Sequence, residues 1–423
     1  MESERRRPRK VLHVLNSAAG GAALSTIGLM NAFWDQGIAA CAVCHDAGSA
    51  VEREQLQSAV RGQAIFMPLY WSNKKIRSPL WKRPLLEARA LLKTGCARRS
   101  AARVAEFASQ QRVDLIHTNT LLTPEGGIAA RKLGLPHVWH LRELVGPGNP
   151  YRFCREGPAL GAHLARNCSK LIANSEVTAE QIRAWLPPGL LEIVPNGIDV
   201  ARFTPRESVR PSGPIRIAMV GNLSTHWKKH KLFAEAASLV DHSLPIEWRI
   251  YGHDPSEGGR VEGDAYVDEL HATLARAGLS DRFRWPGFVA DPVAIMSEID
   301  ILVHPADKES FGRVVVEAMA AGLPVVGVRA GGVRGIVEDG VTGLLAAPDD
   351  ARQMADCVER LARDSALCHS MGLAGRRRAE AHFSIEACAA GVLRVYEQAM
   401  ARPLGPRRPA SAVPAGAASR TAI

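Results

Sequence analysis

Residues 309–328 read ESFGRVVVEAMAAGLPVVGV, and this stretch decides the fold. It predicts a helix that begins near Gly312 and ends at Gly322, because glycine after the last helical turn and a proline just beyond it, here Pro324, stop a helix. The apolar run at 324–328 predicts a buried strand directly afterwards. A helix followed at once by a buried strand is the repeating unit of a doubly wound α/β sheet.

The same alternation of short apolar strands and amphipathic helices extends over most of the chain. The first predicted strand is followed by Gly20-Gly21 and then by a helix that ends near Gly37. A segment rich in proline and glycine at 195–214 interrupts the alternation, which then restarts. We therefore predict two doubly wound domains. The predicted strands lie at 11–15, 114–117, 137–140, 170–174, 215–220, 248–251, 283–285, 299–303 and 324–328.

These interruptions define the predicted organisation of the chain. No repeat of 20–50 residues is present, which excludes a solenoid. The end of the chain is rich in Pro, Ala and Arg and poor in large apolar residues, so we expect it to be disordered. The predicted parts are a basic N-terminal extension (1–9), an N-terminal Rossmann-like domain (10–195), a linker (196–214), a C-terminal Rossmann-like domain (215–383), a C-terminal helix (384–400) and a disordered tail (401–423).

The composition is that of a folded globular protein. Of the 423 residues, 46% are hydrophobic and 23% are charged, close to the globular average. The eight cysteines are too sparse and irregular for a disulfide framework. Cys41 and Cys44 have the spacing of half a zinc site, but no second ligand pair follows, so we expect no metal. No apolar run is long enough to span a membrane and no signal peptide is evident, so we expect a cytoplasmic protein.

Two carboxylates flank the start of the helix in the decisive stretch. Glu309 precedes the helix and Glu317 lies inside it. Unpaired backbone N–H groups at 311–313, reinforced by the helix dipole, form an anion site suited to a phosphate. Glu317, roughly 7–8 Å further along the helix, is placed to accept hydrogen bonds from a ribose diol. This spacing indicates a nucleotide diphosphate site; the alternative is a surface helix with two solvated glutamates.

Two further loops are expected at the same sheet edge. The segment 221–230 follows a predicted strand and contains Lys228 and Lys229, whose amines suit an anion. Gly331-Gly332 follows the last predicted strand. Doubly wound folds bind ligands at the carboxyl edge of the sheet, so the three loops favour one shared site over three ordinary turns.

The decisive stretch, followed by AGGV and EDGVTGLL, resembles the nucleotide-binding signature of the family-four retaining glycosyltransferases. WKKHKLFAEAA is similar to the family's lysine-bearing helix start, VPNGIDVARF to its linker, LIANSE and IHTNT to first-domain strands, and HVWHLRE to its histidine loop. The resemblance covers about residues 10–400. It implies the GT-B fold, in which two Rossmann-like domains face each other across a central cleft.

The resemblance also implies a role for each matched residue. Glu317 would hold the ribose, Glu309 the hydroxyls of the donor sugar, and Lys228 the pyrophosphate. His140 would face the donor sugar across the cleft; the alternative is a histidine that caps a buried strand end. The other implied nucleotide-binding residues are Gly20, Gly21, Lys229, Ser310, Phe311, Gly312 and Arg313.

Two positions depart from the family pattern. Asn222 stands where most members carry an arginine, and Gly335 where the loop usually continues to a glutamate. These departures keep open an alternative function as a catalytically degenerate binding or scaffold subunit. A nicotinamide dehydrogenase would also have two such domains, but no G-x-G-x-x-G fingerprint follows the first predicted strand.

The implied reaction moves a sugar from a nucleotide-diphosphate donor, a UDP- or GDP-sugar, to an acceptor hydroxyl with retention of anomeric configuration, as in polysaccharide or glycolipid biosynthesis. The leaving phosphate takes the acceptor proton on the same face, so catalysis is mainly electrostatic. Lysine and helix N-termini do the work that Mg²⁺ does elsewhere. The resemblance therefore implies no metal and no cofactor besides the donor substrate.

Residues 70–103 are strongly basic. They contain ten Lys and Arg residues and the single acid Glu87, in a chain whose net charge is +10. Trp71, Trp81 and several leucines interleave with the charges, which is typical of a segment at a membrane interface. We expect this segment to dock on an anionic membrane surface that carries a glycan or lipid-linked acceptor; the alternative is a solvated basic helix or a site for an acidic polysaccharide. No nucleic-acid-binding motif accompanies the charge, so we expect no nucleic-acid partner.

Overall fold

The structure is a computed structural model that describes residues 7–46, 48–70, 73–74, 83–146, 152–153, 155–205, 213–223, 226–252 and 265–404. For residues 73–74, 83–94, 152 and 265 it describes the backbone only. Residues 1–6 of the predicted extension, 206–212 of the predicted linker and 405–423 of the predicted tail lie outside these ranges.

The first domain is built on a parallel sheet. Within the described ranges its seven strands have the order β3-β2-β1-β5-β6-β8-β9, and the short strands β4 and β7 form a separate antiparallel pair. The strand order reverses between β1 and β5, where a doubly wound sheet leaves a crevice at its carboxyl edge. The elements are β1 (Lys10–Leu15), α1 (Gly20–Trp34), β2 (Ala39–His45), α2 (Ala50–Ala59), β3 (Ala64–Met67), β4 (Asn73–Lys74), α3 (Arg83–Gln110), β5 (Leu115–Thr118), α4 (Glu125–Leu133), β6 (His137–Leu141), β7 (Arg152–Phe153), α5 (Gly157–Asn167), β8 (Lys170–Ala173), α6 (Glu176–Arg183) and β9 (Leu191–Ile193).

The second domain repeats this plan. Its sheet, counted over the described residues, has six parallel strands in the order β12-β11-β10-β13-β14-β15. The elements are β10 (Ile215–Val220), α7 (His230–Leu239), β11 (Ile246–Tyr251), α8 (Ala265–Arg276), β12 (Phe283–Gly287), α9 (Pro292–Ser297), β13 (Ile301–His304), α10 (Arg313–Ala320), β14 (Val325–Val328), α11 (Val333–Ile336), β15 (Gly343–Ala346), α12 (Ala351–Arg363) and α13 (Ser365–His382); the last helix of the chain is α14 (Ile385–Met400).

Apolar side chains cover both faces of each sheet. In β10, Ile217 and Met219 pack into one core with Trp248, while Ala218 packs into a second core on the opposite face with Phe311. Parallel strands that are buried on both faces read as continuous apolar runs, which is the pattern the sequence shows. The predicted pair of Rossmann-like domains is confirmed.

The last helix returns to the first domain. Apolar residues of α14, Val392 and Tyr396 among them, pack against the strands of the first sheet. The two chain segments that cross between the domains meet where the Ile198 amide donates to the Phe383 carbonyl at 3.0 Å. A Cβ at Gly197 would lie 2.8 Å from the Ile385 Cα, so only glycine fits this crossing. The core of the first domain therefore includes the end of the described chain.

Two further predictions concern metal and membrane. Cys41 and Cys44 lie buried in strand β2. Among the described residues, no group of three or more His, Cys, Asp or Glu side chains is suited to hold a metal ion. None of the helices in the described ranges combines the length and the apolar character needed to cross a membrane.

Candidate active site

Lys228 and Glu309 form an ion pair at the carboxyl edge of the second sheet. The Lys228 Nζ donates to Glu309 Oε1 at 2.7 Å, and both side chains are largely buried. The aliphatic part of Lys228 lies on Gly221, the residue after β10, where a Cβ would come within 3.1 Å of the Lys228 Cγ. The structure thus brings together the two residues to which the sequence assigned the pyrophosphate and the donor sugar.

The ion pair keeps Glu309 charged. Burial opposes the charge, but the Lys228 ammonium outweighs it, so the pKa of Glu309 lies below its ordinary value. His304, at the end of β13, lies close to both groups, and burial lowers its pKa to about 4. The sequence interpretation missed His304, which reads there only as a polar residue that ends an apolar strand. At neutral pH the site therefore contains a carboxylate that accepts hydrogen bonds beside a neutral imidazole.

Helix α10 begins at Arg313 and places Glu317 one turn further on. Gly312 precedes the helix with a φ of 103°, a conformation that favours glycine. The Arg313 Nε donates to Glu317 Oε1 at 2.8 Å. Glu317 is only 7% exposed, and burial outweighs the effect of Arg313, so its pKa is raised. The Phe311 side chain is buried in the core, so Phe311 can meet a ligand only through its backbone.

The first domain presents the start of α1 to this site. α1 begins at Gly20 with a φ of 82°, and the described residues supply no side-chain cap for it. Arg313 reaches across the cleft: its Cδ would lie 3.7 Å from a Cβ at Gly21, and its guanidinium donates to the Ser25 Oγ at 3.1 Å. Free amides at a helix start carry partial positive charge, so the N-termini of α1 and α10 both favour an anion in the cleft.

Lys229 and Arg313 both form ion pairs with nearby carboxylates. The Lys229 Nζ lies 2.8 Å from a carboxylate oxygen of Asp307 and 2.6 Å from one of Asp349. Burial opposes the Lys229 charge, but these carboxylates raise its pKa above the ordinary value. Lys229 therefore anchors its loop, and Arg313 pairs with Glu317. The implied part of both residues in nucleotide binding stays a prediction.

His140 lies within β6 rather than in a loop, and it is fully buried. Its ring centroid is 5.4 Å from that of His117, which stacks in turn on His13 at 5.0 Å. Burial, followed by the nearby Arg142 charge, lowers the pKa of His140 well below its ordinary value. His140 is thus a buried, neutral residue beside Arg142, with its Nδ1 3.4 Å from the Arg142 guanidinium. Its contact with a donor sugar across the cleft stays a prediction.

Arg142, two positions further on, was missed by the sequence interpretation. Its guanidinium donates to Asn119 Oδ1 at 2.8 Å, to Asn196 Oδ1, and to the Thr26 Oγ1 at 3.4 Å. Burial lowers its pKa to about 10, which leaves it protonated at neutral pH. Arg142 therefore joins β5, α1 and the interdomain crossing at the floor of the cleft. Its only signal in the sequence is an arginine directly after an apolar strand.

Contacts beside the site hold the two domains together. Ser175, which caps α6, donates its hydroxyl to the Ser310 carbonyl, and Asn174 Nδ2 donates to the Ser310 Oγ at 3.4 Å. Arg334 of α11 forms an ion pair with Glu180 of α6. The loop that carries Glu309 is therefore fixed by the first domain as well as by its own.

The two departures from the family pattern lie near this edge. Asn222 is exposed just after β10. Gly335 is exposed in α11, and a Cβ there would meet no atom within 4 Å. The absent glutamate thus leaves open space next to Arg334.

Two family models match the chain. The model described as Glycosyltransferase Family 4 matches residues 19–202, and the model described as Glycosyl transferases group 1 matches residues 214–364. A D-inositol 3-phosphate glycosyltransferase of Salinispora arenicola is 29% identical over 314 residues, which cover 68% of this chain and 69% of that protein. One of Corynebacterium diphtheriae is 29% identical over 322 residues, which cover 71% and 74%.

Solved structures share the architecture. Anabaena Alr3699/HepE in complex with UDP and glucose has a TM-score of 0.70 and 23% identity, covering 92% of this chain and 99% of that one. Sucrose-phosphate synthase from Thermosynechococcus elongatus has a TM-score of 0.69 and 20% identity, covering 93% and 100%. The two facing domains therefore have the GT-B fold of glycosyltransferases. The chain belongs to the group 1, family 4 glycosyltransferases, which transfer sugars.

Proposed function

We propose that the chain is a retaining, metal-independent glycosyltransferase that moves a sugar from a nucleoside diphosphate, a UDP- or GDP-sugar, to an acceptor hydroxyl. One observation carries this proposal. Lys228 pairs with Glu309 at the carboxyl edge of the second sheet, and Glu317 lies one turn into the helix that begins just after Glu309. Glu317 binds Arg313, which reaches the uncapped start of α1 across the cleft.

The donor is placed along this edge in a single orientation. Glu317 accepts hydrogen bonds from the ribose diol, the amides at 311–313 and Lys228 bind the diphosphate, and Glu309 accepts from the sugar hydroxyls. The lysine ammonium has three N–H donors. Lys228 can therefore contact a phosphate oxygen and keep Glu309, which is 2.7 Å away, in place.

Catalysis in this arrangement is electrostatic. Negative charge grows on the phosphate oxygen as the bond to the sugar breaks, and Lys228 and the amides at the helix starts stabilise that charge. The same oxygen accepts the proton of the acceptor hydroxyl on the face that the phosphate leaves, which gives retention. The ammonium and the amides take the part that a metal ion has elsewhere, and the proposal includes no cofactor besides the donor.

The similar proteins support this donor class. The Anabaena structure contains UDP and glucose, and the relatives are named for D-inositol 3-phosphate. We propose a glycan or lipid-linked acceptor, as in polysaccharide or glycolipid biosynthesis, with a polyol phosphate as the alternative.

A transfer assay with pooled UDP-, GDP- and ADP-sugars tests the reaction. Nucleotide binding without any transfer would favour the alternative of a catalytically degenerate scaffold subunit. Asn222 and Gly335, which depart from the family pattern, are the observations that support this alternative.

Glu317→Ala is expected to weaken UDP or GDP binding about 10- to 100-fold, because a charged hydrogen bond to the ribose contributes roughly 1–3 kcal/mol. Glu317→Gln keeps an acceptor oxygen without the charge and should lie between Glu317→Ala and the wild type. Isothermal titration calorimetry measures the affinities. Glu380→Ala removes an exposed glutamate from a comparable i,i+4 pair with Arg376 and should bind nucleotide like the wild type.

Wild-type affinity in a folded Glu317→Ala variant would show that the ribose does not lie on α10. Equal weakening in Glu380→Ala would mean that the loss came from altered stability. Either result rejects the assignment of Glu317.

We also propose that the basic segment 70–103 docks the first domain on an anionic membrane that carries the acceptor. Within this segment the structure describes the side chains of Tyr70 and of the residues from 95 onward, among which Arg98, Arg99 and Arg103 are exposed. Lys74, Lys75, Lys82 and Arg83 lie outside the described side chains. Each basic residue near anionic lipid adds about 1 kcal/mol.

Liposome co-sedimentation tests this docking. Binding is expected to need anionic lipid, to decrease with salt, and to drop when Lys74, Lys75, Lys82 and Arg83 are replaced by Ser. A matched control replaces four exposed arginines of the second domain, namely Arg352, Arg360, Arg363 and Arg377. The proposal fails if the first variant binds as the wild type does, or if the wild type ignores anionic liposomes at low salt.

A further inference from the structure

Arg313, the first residue of α10, is hydrogen-bonded to both domains at once. Its Nε donates to Glu317 Oε1 at 2.8 Å within its own helix. Its Nη1 donates to the Ser25 Oγ of α1 at 3.1 Å, and to the Gly197 carbonyl, where the chain crosses between the domains, at 3.5 Å. One side chain thus joins the second domain, the first domain and the crossing.

The shape of the guanidinium makes these contacts compatible. Its five N–H donors are fixed in one plane, so Nε and Nη1 can serve acceptors on different elements at the same time. The aliphatic part of Arg313 passes the start of α1, where a Cβ at Gly21 would lie 3.7 Å from the Arg313 Cδ. A lysine ammonium is a compact point charge on a flexible stem, so it would not fix both sides in the same geometry.

The position of the Glu317 carboxylate depends on this contact. The carboxylate is buried, and across the described residues Arg313 supplies its one hydrogen bond. Ser25 is buried as well, in a helix whose Leu29 and Phe33 pack into the core of the first domain. A single guanidinium therefore holds the proposed ribose ligand in place relative to the first domain.

A second contact across the cleft does not involve Glu317. Arg334 of α11 pairs with Glu180 of α6, and both side chains are largely exposed. This pair joins the same two domains without touching the Glu317 carboxylate. It therefore separates the effect of holding the domains together from the effect of placing Glu317.

We propose that Arg313 is a positioning residue that sets where Glu317 lies relative to the start of α1, and so couples donor binding to the spacing of the two domains. The inference rests on the proposed nucleotide site. A donor that contacts both Glu317 and the amides at the start of α1 needs them at a fixed separation. Arg313 holds that separation before the donor arrives, which lowers the ordering cost of binding.

The dependence of one substitution on another tests this role, with UDP and GDP affinities measured by calorimetry. Ser25→Ala removes the acceptor across the cleft and leaves the Arg313–Glu317 pair intact. It is expected to weaken binding about three- to tenfold, a usual size for coupling within one hydrogen-bond network. The same substitution should have no effect in a Glu317→Ala or an Arg313→Leu background, because Ser25 acts through these two residues. Arg313→Lys should recover part of the affinity lost in Arg313→Leu, yet remain insensitive to Ser25→Ala.

Glu180→Ala is the matched control, because it breaks the other contact across the cleft. Its effect on affinity should be the same with and without Glu317, as for independent sites. If Glu180→Ala also loses its effect in Glu317→Ala, the coupling belongs to domain closure in general and Arg313 has no special part in it.

Two further outcomes would overturn the positioning role and leave the nucleotide site standing. One is unchanged affinity in Ser25→Ala, and the other is an equal loss from Ser25→Ala with and without Glu317. Circular dichroism shows whether each variant is folded. A wild type that binds neither UDP nor GDP overturns the proposed function together with this inference.

Discussion

Lys228→Ala is expected to lower the rate of sugar transfer about 10²- to 10³-fold, the usual loss when one preorganised group that stabilises transition-state charge is removed. The Lys228 amine is the cation held against Glu309, at 2.7 Å, while Arg313 pairs with Glu317 and Lys229 with two aspartates. Initial rates at saturating donor measure the effect. Donor affinity should fall much less than turnover, because the charge on the leaving oxygen is largest in the transition state.

Lys231→Ala is the matched control for Lys228→Ala. Lys231 lies three positions further on and forms an ion pair with Glu269, so its removal should leave turnover unchanged. Wild-type turnover in Lys228→Ala would mean that another group stabilises the leaving phosphate. A parallel loss in both variants would point to the fold of α7 instead of the chemistry.

Acidification from pH 7 to about pH 5 is expected to lower the thermal midpoint steeply. Histidines buried in the described parts of both domains have pKa values far below the ordinary 6.5, chiefly because burial disfavours the charged ring; they are His13 (about 3), His137, His163, His230 and His304 (about 4 each), and His117 and His140 (well below).

The sign of the effect follows from proton binding. The unfolded chain binds protons below pH 6.5 and the folded chain does not until much lower pH, so acid favours unfolding. Stability is complete above about pH 6.5 and is lost as the pH falls toward the folded values. At pH 5 each such histidine costs about 2 kcal/mol. Burial raises the pKa of Glu125 and of Glu143 to about 7, so these carboxyls bind protons first in the folded chain and offset about two of the histidines. The remaining histidines together approach the 5–15 kcal/mol that holds a typical domain folded.

Circular dichroism melts at pH 7, 6 and 5 measure this loss. His13→Leu removes one of the stacked rings and should make the midpoint less dependent on pH, whereas His242→Gln, which changes an exposed histidine, should leave the dependence unchanged. A midpoint that stays constant between pH 7 and pH 5 would contradict the prediction.

Much of the fold could be predicted because parallel strands carry their signal locally. The predicted strand at 215–220 coincides with β10 (Ile215–Val220), and the helix predicted between Gly312 and Gly322 appears as α10 (Arg313–Ala320). The proximity of Lys228 and Glu309 could also be predicted. Lys228 follows β10 and Glu309 follows β13, so both lie at the carboxyl edge of the same sheet. No local sequence pattern predicted that α14 packs on the first domain.

The surroundings of the predicted site residues could not be predicted, because they depend on contacts between distant parts of the chain. His140 reads as a polar residue at a strand end, yet it lies in a cluster that Tyr396 closes by contacting His117 at 2.7 Å, 279 positions away. In the sequence, Lys229 has no acidic neighbour and is interpreted as a free cation. In the fold, Asp307 and Asp349 lie next to it and neutralise its charge. Spacing along a chain shows which groups share a sheet edge, but it does not show which charges are already neutralised there.

The return of α14 to the first sheet also sets the order in which the protein can mature on the ribosome. The first sheet is complete at β9, which ends at Ile193. The face on which Leu29 and Phe33 of α1 pack is fully covered only when α14, starting at Ile385, has been made. Translation of the intervening stretch takes about 10–40 s at 5–20 residues per second. For that time the nascent first domain exposes an apolar face to which a chaperone can bind, and its final packing comes after synthesis of the second domain.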